Sequence, residues 1–310
     1  MNFQQLRIIR EAVRRNFNLT EVAAALFTSQ SGVSKHILDL EDELGIELFV
    51  RKGKRLTGLT EPGKELVGIV ERMLIDAKNI KRLAEQFANR DEGNLTIATT
   101  HTQARYALPP VVRRFKQVYP KVHLVLHQAS PAEIVALLQS GEADLGIATE
   151  ALDGGQTSAN FTSFPFYDWH HSVVVPDGHA LTRLKALTLE ALAQHPLITY
   201  HAGYTGRPRI DATFAEAGLV PDVVMSALDA DVIKTYVEVG LGVGIIASMA
   251  FDAARDQGLT SLDAAHLFPA NTTRIAVRRG HYLRGYAYRF IEECSPALTA
   301  AVVKDALDAE

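Results

Sequence analysis

Residues 20–45 read Thr-Glu-Val-Ala-Ala-Ala-Leu-Phe-Thr-Ser-Gln-Ser-Gly-Val-Ser-Lys-His-Ile-Leu-Asp-Leu-Glu-Asp-Glu-Leu-Gly. The first part, Val22 to Leu26, is a short run of small apolar residues. After a tight turn a second helix, residues 30–44, opens on polar side chains (Ser29, Gln30, Ser31, Ser34, Lys35) and closes on Ile37, Leu38, Leu40 and Leu44. Alanines let the first helix press closely on the second. The polar opening turns of the second are then free to meet base edges and phosphates in a major groove. The pattern predicts a helix-turn-helix that reads duplex DNA.

The flanking sequence extends this reading. Residues 2–16 have helical periodicity, with Phe3, Leu6, Ile9 and Val13 expected inward. Residues 46–60 read as a β-wing: Leu48, Phe49 and Val50 enter it, and Arg51, Lys52, Lys54 and Arg55 surround Gly53 at its tip. Four cations about a glycine turn suit phosphates beside the groove. The candidate DNA-binding set is therefore Thr28, Ser29, Gln30, Ser31, Ser34, Lys35, Arg51, Lys52, Lys54 and Arg55. From Glu61-Pro62-Gly63 to about Asn89 a longer helix carries Leu66, Val70, Met73, Ala77, Ile80, Ala84 and Phe87, a heptad stripe. One helix cannot bury such a stripe alone, so pairing with a second copy is expected. A dimer would set two recognition helices on a two-fold symmetric site. Asp91-Glu92-Gly93-Asn94 reads as a hinge.

These residues carry a family resemblance. Ala23, Ala24, Ser29, Gln30, Ser34, Leu40, Glu41, Leu44, Gly45, Leu48, Phe49 and Arg51 stand in register with the signature of LysR-type transcriptional regulators. Ser31 stands where that family often has Pro, and a serine there can still help cap the helix.

With 310 residues, 47% apolar and 22% charged, the chain is expected to form more than one soluble globular domain. The net charge of −4 argues against a basic coat, but residues 1–60 carry about +2 and the rest about −6. The N-terminus is helical and basic (Arg7, Arg10, Arg14, Arg15) rather than an apolar leader, and no apolar run has membrane-spanning length. A single cysteine, Cys294, allows no internal disulfide and no cysteine-based metal site. The expectation is a cytoplasmic protein with no membrane association, no cofactor and no metal.

From Leu95 onward strands and helices alternate, which predicts parallel sheets covered by helices. The expected elements include strands 95–99, 122–128, 144–149, 172–175, 197–200, 223–227, 243–247 and 273–277, and a helix 103–118 broken at Pro109-Pro110. The resemblance implies an α/β chain: a winged helix-turn-helix (1–60), a dimerisation linker helix (61–92) and a two-lobed, periplasmic-binding-protein-like sensor. Lobe I is expected from 93–163 and 267–310, and lobe II from 164–266. Ligands in open α/β sheets sit beyond the carboxyl ends of strands, against helix N-termini that attract anions. Three strand ends fit: Thr99-Thr100-His101-Thr102-Gln103, Thr149, and Tyr200 leading into His201 and Thr205.

Residues 99–110, 148–152, 229–236 and 240–250 resemble the CysB-like branch of the family. That likeness implies regulation of sulfur assimilation and cysteine synthesis. The implied effector is a small sulfur-pathway metabolite, sulfate or an acetylserine, in a cleft mapped to Thr100, Thr102, Gln103 and Thr149; His201 and Thr205 complete the candidate set. His201 stands where the branch has Thr, and a histidine can become cationic near neutral pH. The implied partners are promoter DNA, a second copy or a homotetramer, and RNA polymerase as an activator's target.

Other signals read as structural. Gly240-Leu241-Gly242-Val243-Gly244 follows a helix and precedes a strand, the wrong order for a phosphate loop. Trp169 and Tyr167 are candidates for the second lobe of the cleft, or for core. No catalytic set stands out, so an enzyme is not expected. The rival reading is a solute-binding module or enzyme on the same two-lobed fold, for which a basic N-terminal region would have no use.

Overall fold

The structure is a computed structural model, and it describes residues 1–53, 55–88, 90–152 and 160–309. It divides into two compact units, Met1–Glu85 and Gln86–Glu310.

In the first unit, α1 (Phe3–Arg14), α2 (Leu19–Ala25) and α3 (Gln30–Leu44) precede the hairpin β1 (Phe49–Lys52) and β2 (Arg55–Leu59); α4 (Glu61–Ala88) follows. Each start has a local cause. Asn2 and Gln5 close a capping box on α1, and Asn18 accepts from Thr20 and Glu21 to start α2. Gly45, at φ +68°, ends α3 in the left-handed conformation that glycine adopts without steric cost. The core joins Leu6, Ile8, Ile9 and Ala12 to Val22, Ala23, Val33, Ile37, Leu40, Leu48 and Phe49. Phe3 is half exposed and Val13 only partly buried, because the buried stripe of α1 runs through positions 5, 8, 9 and 12. In α3 the stripe is Val33, Ile37, Leu40 and Glu41, so Leu38, one position off it, and Leu44, in the last turn, are exposed.

The helix α4 is used in two ways. Its first half seals this core with Leu66, Val67, Val70, Met73 and Leu74. Gly63 lets its first turn approach so closely that a Cβ there would sit 2.0 Å from the Leu48 carbonyl oxygen. Its second half presents Ile80, Leu83 and Phe87 to solvent at 69%, 44% and 73% exposure. The expected heptad is therefore spent partly within its own chain.

The second unit holds two five-stranded sheets. Its elements, in order, are β3 (Gly93–Thr99), a π-turn (Gln103–Ala107), α5 (Leu108–Val118), β4 (Val122–Gln128), α6 (Pro131–Gln139), β5 (Leu145–Ala148), β6 (Phe161–Trp169), β7 (His171–Pro176), α7 (Leu189–Leu192), β8 (Leu197–Tyr200), α8 (Arg207–Glu216), β9 (Val223–Ala227), α9 (Ala230–Glu238), β10 (Val243–Ala247), β11 (Leu259–Asp263), β12 (Asn271–Arg278), α10 (Gly285–Cys294) and α11 (Ala300–Asp308). The sheets order as β4-β3-β5-β12-β6 and β11-β7-β10-β8-β9. In the first, α5 and α10 cover one face through Val111, Phe115 and Phe290, and α6 covers the other through Ile134 and Leu138. In the second, α8 supplies Ile210 and Phe214 to one face and α9 supplies Ile233 and Val237 to the other.

Three sequence expectations change. The sheets are mixed, not parallel: β3, β4 and β5 run parallel, as do β8, β9 and β10, but β12 is antiparallel to β5 and β6, and β7 to β10 and β11. The first switch between sheets lies at Trp169–His171 and not near Ser163, because β6 stays registered on β12 through Trp169↔Asn271. The return falls between Asp263 and Asn271. The helix after β3 is not broken at Pro109-Pro110. It runs on through a π-turn, in which Leu108 N–H donates to the Gln103 carbonyl. The prolines then sit in the first turn of α5, where their missing N–H groups cost nothing.

A candidate nucleic-acid interface and a candidate ligand cleft

In the first unit the opening of α3 is presented as the sequence predicts. Thr28, Ser29, Gln30, Ser31 and Lys35 are exposed and Ser34 is half-buried. The cap is Ser29, whose Oγ accepts from Gly32 N–H at 3.1 Å; Ser31 only approaches the Ser29 hydroxyl, at 3.2 Å. Lys52 and Arg55 are exposed and paired across the wing tip at Gly53. Lys54 lies outside the described residues. Arg51 stands apart from this set. Its Nη2 is 2.6 Å from the Glu41 carboxylate, and Glu41 also accepts from Leu48 and Phe49 N–H at 2.8 and 3.1 Å. Glu41 is buried on α3, so these bonds fix the entry of the wing relative to the recognition helix. Arg51 is thus part of that anchor.

In the second unit several of the hydroxyls at the strand ends lie close together, and others do not. Thr99 Oγ1 is spent on the Ile147 carbonyl and belongs to the sheet. Thr100, Thr102 and Gln103, in the first turn after β3, are almost wholly buried. From the other sheet, Thr205 is equally buried, and its hydroxyl lies 3.5 Å from that of Thr102. The Tyr200 hydroxyl, fully buried at the end of β8, accepts from Ala247 N–H at 3.0 Å and also pairs with Thr102. Burial pushes that phenol's pKa up, so it stays neutral. Thr149 reaches the Thr273 hydroxyl at 3.3 Å, and Trp169 Nε1 donates to the same oxygen at 3.1 Å. Tyr167 Oη donates to Gln103 Oε1 at 2.5 Å, and burial raises its pKa to about 12.

Tyr167 and Trp169 thus bond to these groups from β6 of the first sheet, not from the second lobe, and Trp169 is itself buried. Thr273 had no cue in the sequence, since a lone threonine inside a strand reads as β-propensity. His201 departs from expectation. Strand β8 ends at Tyr200, and the chain turns outward before it comes back at Thr205 and Gly206, at φ +43° and +75°. His201 is exposed, with its ring edge-on to Tyr204. Thr205 supplies the buried hydroxyl.

Two contacts pin the sheets together. Glu150 accepts from Gly206 N–H, and burial raises its carboxyl pKa above the ordinary range. Asp231 on α9 accepts from Tyr106 Oη at 2.7 Å and from Arg105 Nε at 3.2 Å. His101, Asp229 and Asp231 have ligand atoms within 4.8 Å of one another. However, Asp229 caps α9, and Asp231 is engaged by Tyr106, Arg105 and Lys234, so the group is a latch between the sheets. The cleft therefore offers neutral donors at a helix N-terminus, a donor set suited to a small oxyanion.

Two family models match the chain: "Bacterial regulatory helix-turn-helix protein, lysR family" over residues 3–64, and "LysR substrate binding domain" over residues 88–299. The HTH-type transcriptional regulator SsuR of Burkholderia cenocepacia is 60% identical over 303 residues, 98% of this chain and 97% of that protein. The HTH-type transcriptional regulator CysB of the same organism is 51% identical over 310 residues, 100% of this chain and 98% of that one. The crystal structure of the cofactor-binding domain of the Cbl transcriptional regulator superposes with a TM-score of 0.67 at 48% identity. It covers 70% of this chain and 95% of that one.

Proposed function

The chain belongs to the LysR family of bacterial helix-turn-helix transcriptional regulators, and from that membership we propose that it controls sulfur-assimilation genes in response to a small sulfur-pathway metabolite. The effector is an oxyanion such as sulfate, or an acetylserine. The observation that supports this reading is the clustering of buried Thr100, Thr102, Gln103 and Thr205, with half-buried Thr149 bonded to Thr273 beside them. A tetrahedral anion there accepts from hydroxyls contributed by both sheets. Its affinity for the arrangement in which both sheets contribute exceeds that for a splayed one, and only such a difference can shift a conformational equilibrium.

On the DNA side, Thr28, Ser29, Gln30, Ser31, Ser34 and Lys35 meet base edges and phosphates, and Lys52, Lys54 and Arg55 grip the backbone. Arg51 keeps the wing in place. The exposed half of α4 pairs two copies, as a dimer or within a homotetramer, and so sets the spacing of half-sites. The protein works in the cytoplasm, where its DNA lies; no helix among the described residues is long and apolar enough to cross a membrane. It acts as an activator through RNA polymerase and is not an enzyme, in keeping with relatives that are transcriptional regulators along their whole length.

The test is a thermal-shift screen of sulfate, thiosulfate, alkanesulfonates and acetylserines against the full chain, followed by gel shifts on fragments upstream of sulfur-assimilation genes. At least one compound is expected to stabilise the protein and to change its migration on those fragments. Failure of all of them, with no preference for those fragments over random DNA, overturns the reading.

A further inference from the structure

The donors of the hydroxyl cleft, Thr100, Thr102, Gln103, Thr149 and Thr205, are all neutral, and the charged side chain that follows directly on Thr149 is an acid, Glu150. Its carboxylate accepts from Gly206 N–H. Gly206 in turn follows Thr205, whose hydroxyl lies 3.5 Å from that of Thr102. Resting on the reading that an oxyanion occupies this cleft, we propose that Glu150 sets the charge of the effector: its carboxylate makes the cleft prefer a monoanionic head, a sulfonate or a carboxylate, and a dianion enters only together with a proton for Glu150.

Placement, burial and surroundings support this. Glu150 is next to Thr149 along the chain and bonded to the residue after Thr205, so an anion held by those two hydroxyls meets its charge. Oε1 takes the Gly206 N–H at the start of α8, and Oε2 is buried with no hydrogen-bond partner among the described residues. A buried charge is weakly screened and repels a second anion far more strongly than in water. The turn that Glu150 holds is wedged in place. Gly206, at φ +75°, packs so closely that a Cβ there would sit 2.6 Å from His171 Nε2 and 2.8 Å from Asn271 Oδ1, and both of those residues are wholly buried. The charged and titratable groups described around this turn are Arg209 on α8, and His171 with its exposed neighbour His170 at the start of β7. Arg209 is exposed and spends Nη1 on the Ala270 carbonyl, so its offset is screened by solvent. Burial holds His171 neutral, with a pKa of about 4. Asn271, from β12, carries no charge.

A Coulomb energy is proportional to the product of the two charges. Removing the charge of Glu150 therefore multiplies the affinity for a dianion by the square of the factor for a monoanion in the same place. Wild type can also lose that charge, by taking a proton from solvent onto the carboxylate as the dianion binds. Burial already raises the carboxyl pKa and so favours the acid form. Dianion binding is thus linked to proton uptake, and its affinity falls as pH rises.

The test is isothermal titration of the full-length chain with sulfate and methanesulfonate, for wild type and Glu150→Gln, between about pH 7 and 9, above the ordinary histidine range. Glutamine keeps an acceptor oxygen for Gly206 N–H and loses the charge. At the upper end of the range Glu150→Gln is expected to bind sulfate at least tenfold tighter than wild type and methanesulfonate about threefold tighter. Across the range the wild-type affinity for sulfate is expected to fall and that of Glu150→Gln to stay level. A second reading needs no variant. In the amine buffers Tris and triethanolamine, whose heats of ionisation differ, wild type is expected to take up more protons with sulfate than with methanesulfonate. Equal affinities in wild type and Glu150→Gln, a gain for sulfate no larger than that for methanesulfonate, or sulfate binding without proton uptake at any pH in the range overturns the proposal and leaves the hydroxyl-cleft reading intact. Absence of saturable binding by either anion in both proteins overturns that reading and the proposal with it.

Discussion

Glu41→Ala should detach the wing from the recognition helix. The carboxylate is 7% exposed, takes two backbone N–H donors from Leu48 and Phe49, and binds Arg51. Alanine leaves both amides buried without an acceptor, at roughly 1–3 kcal/mol each. Arg51, 29% exposed, recovers hydration and adds little. A local loss of about 3 kcal/mol follows, equivalent to on the order of a hundredfold in an opening equilibrium. Hydrogen exchange read by mass spectrometry on peptides spanning 46–52 measures it directly. The expected result is protection at Leu48 and Phe49 reduced by about that factor, with helix α1 unchanged. Glu41→Gln, which keeps one acceptor oxygen, should fall between, and Arg51→Met should cost less than either. Unchanged protection in Glu41→Ala would refute the reasoning, because the two amides would then have another partner.

The other predictions concern reading, sensing and pH. Gln30→Ala and Ser34→Ala should weaken a selected operator more than random duplex. Arg55→Ala should weaken both and lower the salt slope by about one, while Arg51→Met leaves the slope unchanged; anisotropy titrations at several salt concentrations distinguish these outcomes. Thr205→Val should abolish oxyanion binding, while His201→Thr, at an exposed position, should alter it less than about twofold, well under one tenfold step; a large His201 effect in calorimetry would contradict the geometry. Burial holds the His171 imidazole at a pKa of about 4, against an ordinary 6.5. Its neutral form therefore contributes stability that is complete above pH 6.5 and is lost as pH falls toward 4, by up to about 3 kcal/mol. Urea unfolding of wild type and His171→Asn across that window should converge at low pH; parallel curves would exclude His171 as the source.

The recognition helix was legible because its constraints are local. A cap, a polar first turn, an apolar stripe and a closing glycine lie within residues 29–45, and the strands 122–128, 197–200, 223–227 and 243–247 carried equally compact apolar runs. What escaped depends on pairing over distance. The strand at 161–169 holds Pro165 and Asp168 among its aromatics and is fixed by β12, more than a hundred residues later. That pairing brings Thr273 beside Tyr167 and Trp169; the two aromatics were readable as cleft candidates, but no spacing in the sequence encodes their place on the first sheet or the partner Thr273. Glu41 illustrates the same limit. Its place in the helix was readable, but its role as an acceptor for the wing was not, because the partners Leu48 and Phe49 offer only backbone. His201 was misplaced for a local reason: a polar residue just after a strand points to a cleft only if the next turn does not carry it outward.

If the protein is a ligand-responsive regulator, the hydroxyl cleft governs DNA binding. The most direct measurement is fluorescence anisotropy of a duplex from upstream of a sulfur-assimilation gene, titrated with the full-length chain with and without sulfate and acetylserine, for wild type and Thr102→Val. The expected result is an affinity for this duplex above that for a scrambled one, changed severalfold by one of the two compounds in wild type and by neither in the variant. Equal binding to both duplexes, or the same ligand response after Thr102→Val, would contradict it.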